Sequence, residues 1–213
     1  MKTRQRHNIE QGTPEWHKLR CGLLCSSEIH SAITPKQRKI SASIDKLIFK
    51  KHATLLSGEF EDFNVSFAAK RGKELEPFAR AHYQDVTGVE VQDGGFNSYG
   101  RLGASTDGVA DDRVLEIKCL MGENHYAALL SDNPQDEFYF QAQAEMYVLG
   151  KPLCDLFFYH QTMDNLLITI KYDKEMTELF ETAEAAFVAK YEATIAKYKA
   201  VQKNFIPAPT ISI

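Results

Sequence analysis

Gly103-Ala104-Ser105-Thr106-Asp107-Gly108 and, a few residues on, Val114-Leu115-Glu116-Ile117-Lys118-Cys119 are the stretch on which the fold turns. Both segments read as short strands, with turn signals at Asp107-Gly108 and Asp111-Asp112 between them. In a strand successive side chains alternate faces, so Glu116 and Lys118 project to one side. Leu115, Ile117 and Cys119 face the other way and need a core. Asp107 ends the first strand, and a hairpin brings it alongside the second. Two carboxylates and a lysine then converge.

Hard cations such as Mg²⁺ take carboxylate oxygens, keep several waters and complete their shell with substrate phosphate. Asp107, Glu116 and the backbone carbonyl of Ile117 would supply such a site. Lys118 could orient a water or offset charge in a phosphoryl transition state. An acidic-x-Lys triplet is weak by itself, because a chain of this length holds roughly two by chance. Read blandly, it is a cross-strand ion pair worth at most about 1 kcal/mol.

Outward from this stretch the pattern is helical on both sides. Ser26-Ser27-Glu28 before Ile29, Ala32 and Ile33 predicts a capped short helix. Residues 41–57 predict a helix patterned by Ile44, Leu47, Ile48, Leu55 and Leu56, and 58–70 a loop. Residues 70–87 predict an amphipathic helix with Leu75, Phe78, Ala79, His82 and Val86 on one face, ended by Gly88. Short strands follow at Val89–Val91, Phe96–Tyr99, Leu102–Ser105 and Val114–Leu120. Pro134 opens a helix to Leu149, stopped by Gly150. Leu153–His160 and Leu166–Tyr172 form a strand pair, and a helix over about 174–202 buries Met176, Leu179, Phe180, Ala183, Phe187, Tyr191, Ile195 and Tyr198. This order predicts an α/β (α+β) fold with a central mixed β-sheet flanked by helices, residues 1–213 forming one domain.

Further candidates lie on the helices. Glu76 flanks the apolar face of the 70–87 helix and could reach the sheet edge as another metal ligand. Gln141 and Gln143 sit in an aromatic stretch where buried amides need partners. Arg20 precedes the Ser26-Ser27-Glu28 helix start, and an arginine with that start's hydroxyls and N–H groups would make a phosphate pocket. Trp16, the single tryptophan, reads as a core anchor.

Composition bounds the class. The chain has 213 residues, 44% hydrophobic and 25% charged, which suits a globular domain rather than a disordered or disulfide-dense one. No apolar run is long enough for a transmembrane helix, and the start shows no secretory signal, so a cytoplasmic protein is expected. The net charge of −4 hides an asymmetry: residues 1–52 carry eleven Lys and Arg against four acids, leaving −11 for the remainder. A basic surface facing a polyanion would explain it, as would a solvated basic face. Cys21, Cys25, Cys119 and Cys154 show no C-x-x-C spacing and read as buried hydrophobes, with an iron–sulfur or zinc site as the alternative.

Together these residues resemble the phage lambda exonuclease, or viral recombinase, family of the PD-(D/E)xK nuclease superfamily. The resemblance runs over five ordered blocks: Gln11-Gly12 through Glu28, Gly72 to Glu76, Ser105 to Gly108, Glu116 to Cys119, and Gln141 to Gln143. It implies a restriction-endonuclease-like core. Asp107, Glu116 and the Ile117 carbonyl would hold Mg²⁺, with Lys118 as catalytic lysine. Glu76 would reach a second metal, Mn²⁺ being a possible substitute, and Gln141 would support the water or the lysine. Arg20, Ser27 and Ser105 would grip the 5′-phosphate of the digested strand. The family digests one strand of duplex DNA from its 5′ end, releases mononucleotides and leaves a 3′ overhang. The resemblance further implies a toroidal homotrimer, a phage single-strand annealing protein as partner, and a phage or prophage gene in a bacterial host.

The sequence departs from the family at Thr106 and Leu120, where proline is usual, and residues 36–70 match poorly, so no strand-separating wedge can be placed there. The competing readings are a related PD-(D/E)xK endonuclease, an iron–sulfur relative using the cysteines, a non-catalytic DNA-end-binding protein, and an interaction protein that binds neither metal nor DNA.

Overall fold

The structure, a computed structural model, describes residues 2–60 and 66–206. In chain order its elements are β1 (Arg4–His7), α1 (Pro14–Cys21), β2 (Leu24–Cys25), a 3-10 turn at Ser26–Glu28, α2 (Ile29–Ala32), β3 (Ile33–Thr34), β4 (Lys39–Ile40), α3 (Ile44–Ser57) and α4 (Phe67–Thr87). Then follow β5 (Phe96–Tyr99), β6 (Leu102–Ser105), β7 (Gly108–Val109), β8 (Arg113–Lys118), α5 (Gly122–Leu130), α6 (Tyr139–Leu149), β9 (Leu153–Phe158), β10 (Leu166–Lys171) and α7 (Met176–Val201).

Two four-stranded mixed sheets form the centre. The first runs β1-β5-β6-β2, with β6 parallel to β2 and the other pairs antiparallel. The second runs β10-β9-β8-β7, with β8 parallel to β9 from Arg113↔Leu153 to Lys118↔Phe158. The β9–β10 pair is the expected antiparallel hairpin. Between β8 and β9 the chain crosses over through α5 and α6, as a parallel pair requires. Only Thr106 and Asp107 separate β6 from β7, so Asp107 stands where the chain passes between the sheets.

Helices cover both faces of the second sheet. Leu115 and Ile117 of β8 pack with Ala79 and Tyr83 of α4, whereas Val114 packs with Ala142 and Met146 of α6. The largest core joins the first sheet to α2, α3, α6 and α7 through Leu24, Leu102, Ile48, Val148, Phe180 and Phe187. Trp16, Leu23, Cys25 and Phe96 form a separate cluster, and Trp16 is the core anchor expected of it.

The helices and strands differ from expectation in particular places. α4 begins at Phe67, inside the stretch read as a loop, with Ser66 accepting a bond from the Ala69 N–H as its cap. Residues 61–65 of that loop lie outside the described residues. Leu75, Ala79 and Tyr83 are buried along one i, i+4 row, while Phe78 and Val86, on the neighbouring row, are exposed. Val89–Val91 is no strand; the ladder there is one bridge, Gln92 with Val109. Pro134 opens successive turns, and the helix starts at Tyr139. Pro fixes φ equally well for a turn as for a first helical residue. The α5 helix is an addition to the expected elements. The Ser26-Ser27-Glu28 segment is a 3-10 turn with no side-chain cap.

Candidate active site

β8 presents Glu116 and Lys118 to α6. Lys118 Nζ lies 2.8 Å from Glu116 Oε1 and donates to Gln141 Oε1 at 3.3 Å. The Gln141 amide donates to the same Glu116 oxygen at 2.6 Å and to Glu145 Oε1 at 2.9 Å. The ammonium also sits 4.4 Å from the centre of the Phe138 ring. This cluster is the direct product of strand alternation: residues two apart on β8 meet residues four apart on α6.

Asp107 joins from the adjoining turn. Its backbone N–H donates to Leu115 O at 3.1 Å, and its Oδ2 accepts from the Ile117 N–H at 2.6 Å. The turn is held from outside by Gly94, where a Cβ would collide with the Thr106 carbonyl. Only glycine permits that approach. Thr106 itself is buried, its hydroxyl without a partner among the described residues.

Glu76 of α4 shares a cavity of about 560 Å³ with Asp107, Ile117, Cys119, Trp16 and Lys73. Its carboxylate is 2.5 Å from Arg80 Nη2, one turn along the helix. Glu116 does not line that cavity, because it leaves β8 on the α6 side. The structure therefore brings Glu116, Lys118 and Gln141 together by direct hydrogen bonds, with Asp107 bonded to the neighbouring Ile117 N–H and sharing its cavity with Glu76.

These carboxylates still act on one another electrically. Burial, then Glu116 and Glu76, push the Asp107 carboxyl well above its usual range, against the Ile117 bond that pulls it down. Burial, then Glu116, likewise push up Glu145. Burial raises Glu76 in spite of Arg80. For Lys118 burial pulls downward, but Glu116, then Glu145 and Asp107, outweigh it and the ammonium is favoured. Burial lifts the Cys119 thiol to about 11.

The donor set fits a hard divalent cation. Among the described residues no group of three His, Cys, Asp or Glu side chains is arranged to hold a metal. Two carboxylates and a main-chain carbonyl are what such an ion requires when water and phosphate complete its shell. Crowded carboxylates with raised pKa values are the charge imbalance a cation would relieve. The cysteines do not converge: Cys25 packs with Trp16, Cys154 with Val114, and Cys119 against Leu115 and Ile117.

The phosphate candidates sit at one end of the first sheet. Arg20 Nη2 donates to Ser27 Oγ at 3.3 Å, and the guanidinium stacks 4.3 Å from the Trp16 ring centre. Cys25 pairs with Gly103 in the parallel β2–β6 ladder, so Ser27 and Ser105 each follow two residues later at that end. The Ser105 hydroxyl is buried without a partner among the described residues. Buried Lys51 reaches in beside them, 2.9 Å from Arg20 O and 2.6 Å from Glu28.

Gln143 plays a different part from Gln141. It is buried, and its amide pairs with the Lys171 carbonyl and the Asp173 N–H, joining α6 to the end of β10. Glu145 is the member of the cluster that sequence reasoning misses. It is wholly buried, and the signal for it is the single charged residue in α6, Tyr139–Leu149.

A strand–turn–strand carrying Asp107, Glu116 and Lys118, between helices bearing Glu76 and Gln141, is a PD-(D/E)xK-type core. More narrowly, residues 15–152 match the YqaJ-like viral recombinase domain, and the chain belongs to that family. It is similar to an alkaline exonuclease, LHK-Exo, from Laribacter hongkongensis: 29% identity, TM-score 0.78, covering 90% of this chain and 99% of that one. The same enzyme in complex with dAMP aligns at 28% identity and TM-score 0.77, over 91% of this chain and all of that one. A phage-related exonuclease from Haemophilus somnus 129PT shares the fold, with 13% identity and TM-score 0.67 over 82% of this chain and 96% of that one. No curated protein sequence matches the chain. Among the described residues no helix is long and apolar enough to cross a membrane.

Proposed function

We propose that the protein is a Mg²⁺-dependent 5′→3′ exonuclease acting on double-stranded DNA ends. It releases 5′-mononucleotides and leaves a 3′ single-strand overhang for phage-type recombination by strand annealing. The observation that carries this reading is the meeting of Lys118, Glu116 and Gln141, with Asp107 bonded to the same strand. The exonuclease names of the similar structures, one of them holding a deoxynucleoside monophosphate, support it.

In this reading Asp107, Glu116 and the Ile117 carbonyl hold Mg²⁺, and Glu76 reaches a second ion, with Mn²⁺ as a substitute. Bound there, the metal supplies a water of lowered pKa and positive charge beside the phosphate oxygens. Lys118 orients the water and offsets charge on the phosphoryl group. Gln141 fixes Lys118 and Glu116 relative to each other. The water oxygen bonds to phosphorus as the bond from phosphorus to the 3′ oxygen of the terminal nucleotide breaks. That oxygen takes up a proton, and the shortened strand keeps a new 5′-phosphate. Arg20, Ser27 and Ser105 grip the terminal 5′-phosphate, the arginine by charge and the hydroxyls by hydrogen bonds.

Residues 1–213 act as one nuclease domain. A toroidal homotrimer, kinship with the lambda enzyme, a phage annealing protein as partner, and action in the cytoplasm of a bacterial host rest on the family alone. The test compares linear duplex DNA bearing 5′-phosphates with covalently closed circular DNA, each with Mg²⁺ or EDTA. Digestion of the linear form alone, needing Mg²⁺, is expected. Cutting of the circle would make the protein an endonuclease. Binding of ends without cutting would make it a non-catalytic end-binding protein.

A further inference from the structure

The phosphate residues and the hydrolytic residues stand on different elements, yet two sets of hydrogen bonds joined through the Ser26–Ser27 peptide link them. Ser27, exposed, is bonded to Arg20. Its neighbour Ser26 turns the other way and is buried. The Ser26 hydroxyl donates to Glu145 Oε1 at 3.3 Å. The same oxygen accepts from the Gln141 amide at 2.9 Å, and Gln141 in turn holds Glu116 and Lys118.

We propose that Glu145 is a positioning residue that couples occupancy of the 5′-phosphate pocket to the hydrolytic centre through Ser26 and Gln141. This rests on the exonuclease reading and deepens it by assigning where end discrimination acts. Two features carry it. The first is amide orientation. With Nε2 held between the carboxylates of Glu116 and Glu145, Gln141 must turn Oε1 toward Lys118. A flipped amide would set its oxygen against both carboxylates. The second is cost. Glu145 is wholly buried, has no cation of its own, and leaves Oε2 without a partner among the described residues. An apolar side chain of similar size would serve a purely structural position better. A shift of the Ser26–Ser27 turn on binding phosphate reaches Gln141 through a single shared oxygen.

The experiment measures single-turnover kcat and KM for release of the first nucleotide, since every later end carries a 5′-phosphate, on blunt duplexes with 5′-phosphate or 5′-hydroxyl ends, for wild type, Ser26→Ala, Glu145→Leu and Glu145→Gln, with melting temperatures alongside. Wild type should favour phosphate ends in kcat by about tenfold or more, the scale of charge-assisted contacts. Ser26→Ala and Glu145→Leu should bring that kcat ratio to within about twofold of one, while the KM ratio persists. Glu145→Gln keeps an acceptor for both donors and should retain the preference. An unchanged kcat ratio in Ser26→Ala and Glu145→Leu, or an equal loss on both ends, overturns the proposal. Should Glu145→Leu fail to fold, Ser26→Ala decides. If wild type digests neither duplex, the exonuclease reading has failed, and the coupling falls with it; digestion without end preference removes the coupling alone.

Discussion

The Asp107 carboxylate accepts a 2.6 Å hydrogen bond from the Ile117 N–H, so the first acidic residue of the site is fixed to the strand that carries the others. Burial, Glu116 and Glu76 nevertheless hold its carboxyl well above the ordinary range. An acid whose folded pKa exceeds its unfolded one weakens the fold as pH rises past the unfolded value, about 3.9. The weakening is complete above the folded pKa and absent below both. Asp107→Asn removes it and can still accept the Ile117 bond. In EDTA the variant should therefore melt higher than wild type at pH 7.5, by about 2–4 °C per kcal/mol recovered. The difference should shrink toward pH 4. A variant that melts lower at pH 7.5 would show that Asp107 is not under charge strain.

Metal should reverse that balance. Mg²⁺ binding the folded chain alone stabilises it by about 2.7 kcal/mol at a hundred times its dissociation constant. Melting temperature should climb with Mg²⁺ in wild type and stay flat in Asp107→Asn and Glu116→Gln. Equal shifts in all three would place the ion elsewhere.

Lys118→Ala should lower kcat by about 10²–10⁴-fold, the range for a positioned proton-handling group, with KM little changed. Lys118→Arg should not restore it, because a planar guanidinium does not fit the Glu116, Gln141 and Phe138 contacts of a compact ammonium. Single-turnover kinetics would separate the two constants. A rise in KM alone would make Lys118 a DNA-binding residue instead.

Arg20→Ala loses both the Ser27 bond and the stack on Trp16. Digestion of 5′-phosphate ends should fall by about tenfold to a hundredfold, as for a lost charged hydrogen bond. Release of the first nucleotide from 5′-hydroxyl ends, the only step without a 5′-phosphate, should change little. An equal fall on both would assign Arg20 to the fold.

Away from the site, Asp155 of β9 accepts from Tyr83 of α4 at 2.5 Å, Arg113 of β8 at 3.0 Å and Thr169 of β10 at 2.6 Å. It fastens the helix bearing Glu76 to the sheet bearing Glu116. Asp155→Ala should cost about 1–3 kcal/mol by stranding the buried Tyr83 hydroxyl, while Arg113 keeps its two bonds to Asp112. Chemical denaturation measures this, and a loss under about 1 kcal/mol, the scale of an exposed pair, would contradict it.

The parts of this site that local chemistry dictates are legible in the sequence. Alternation at 114–119 sets Glu116 and Lys118 on one face, and the Asp107-Gly108 turn sets Asp107 beside them. What is not legible depends on tertiary choices. Phe78 and Val86 lie on a helical row as plausible as that of Leu75, Ala79 and Tyr83, and only the sheet selects between them. Ser27 has capping chemistry, but Arg20 claims its hydroxyl. The Ser26–Glu145 bond spans 119 residues of chain, so no local pattern announces it.

The most direct test follows a linear duplex labelled at one 5′-phosphate, the 5′ end of the complementary strand being blocked by nuclease-resistant linkages, digested with Mg²⁺ by wild type and by Lys118→Ala. The account predicts that wild type releases the label as a mononucleotide from the start while the complementary strand stays full length, and that Lys118→Ala releases almost none. Label first appearing in longer fragments, loss of the complementary strand from its 3′ end, or full activity in Lys118→Ala would contradict it.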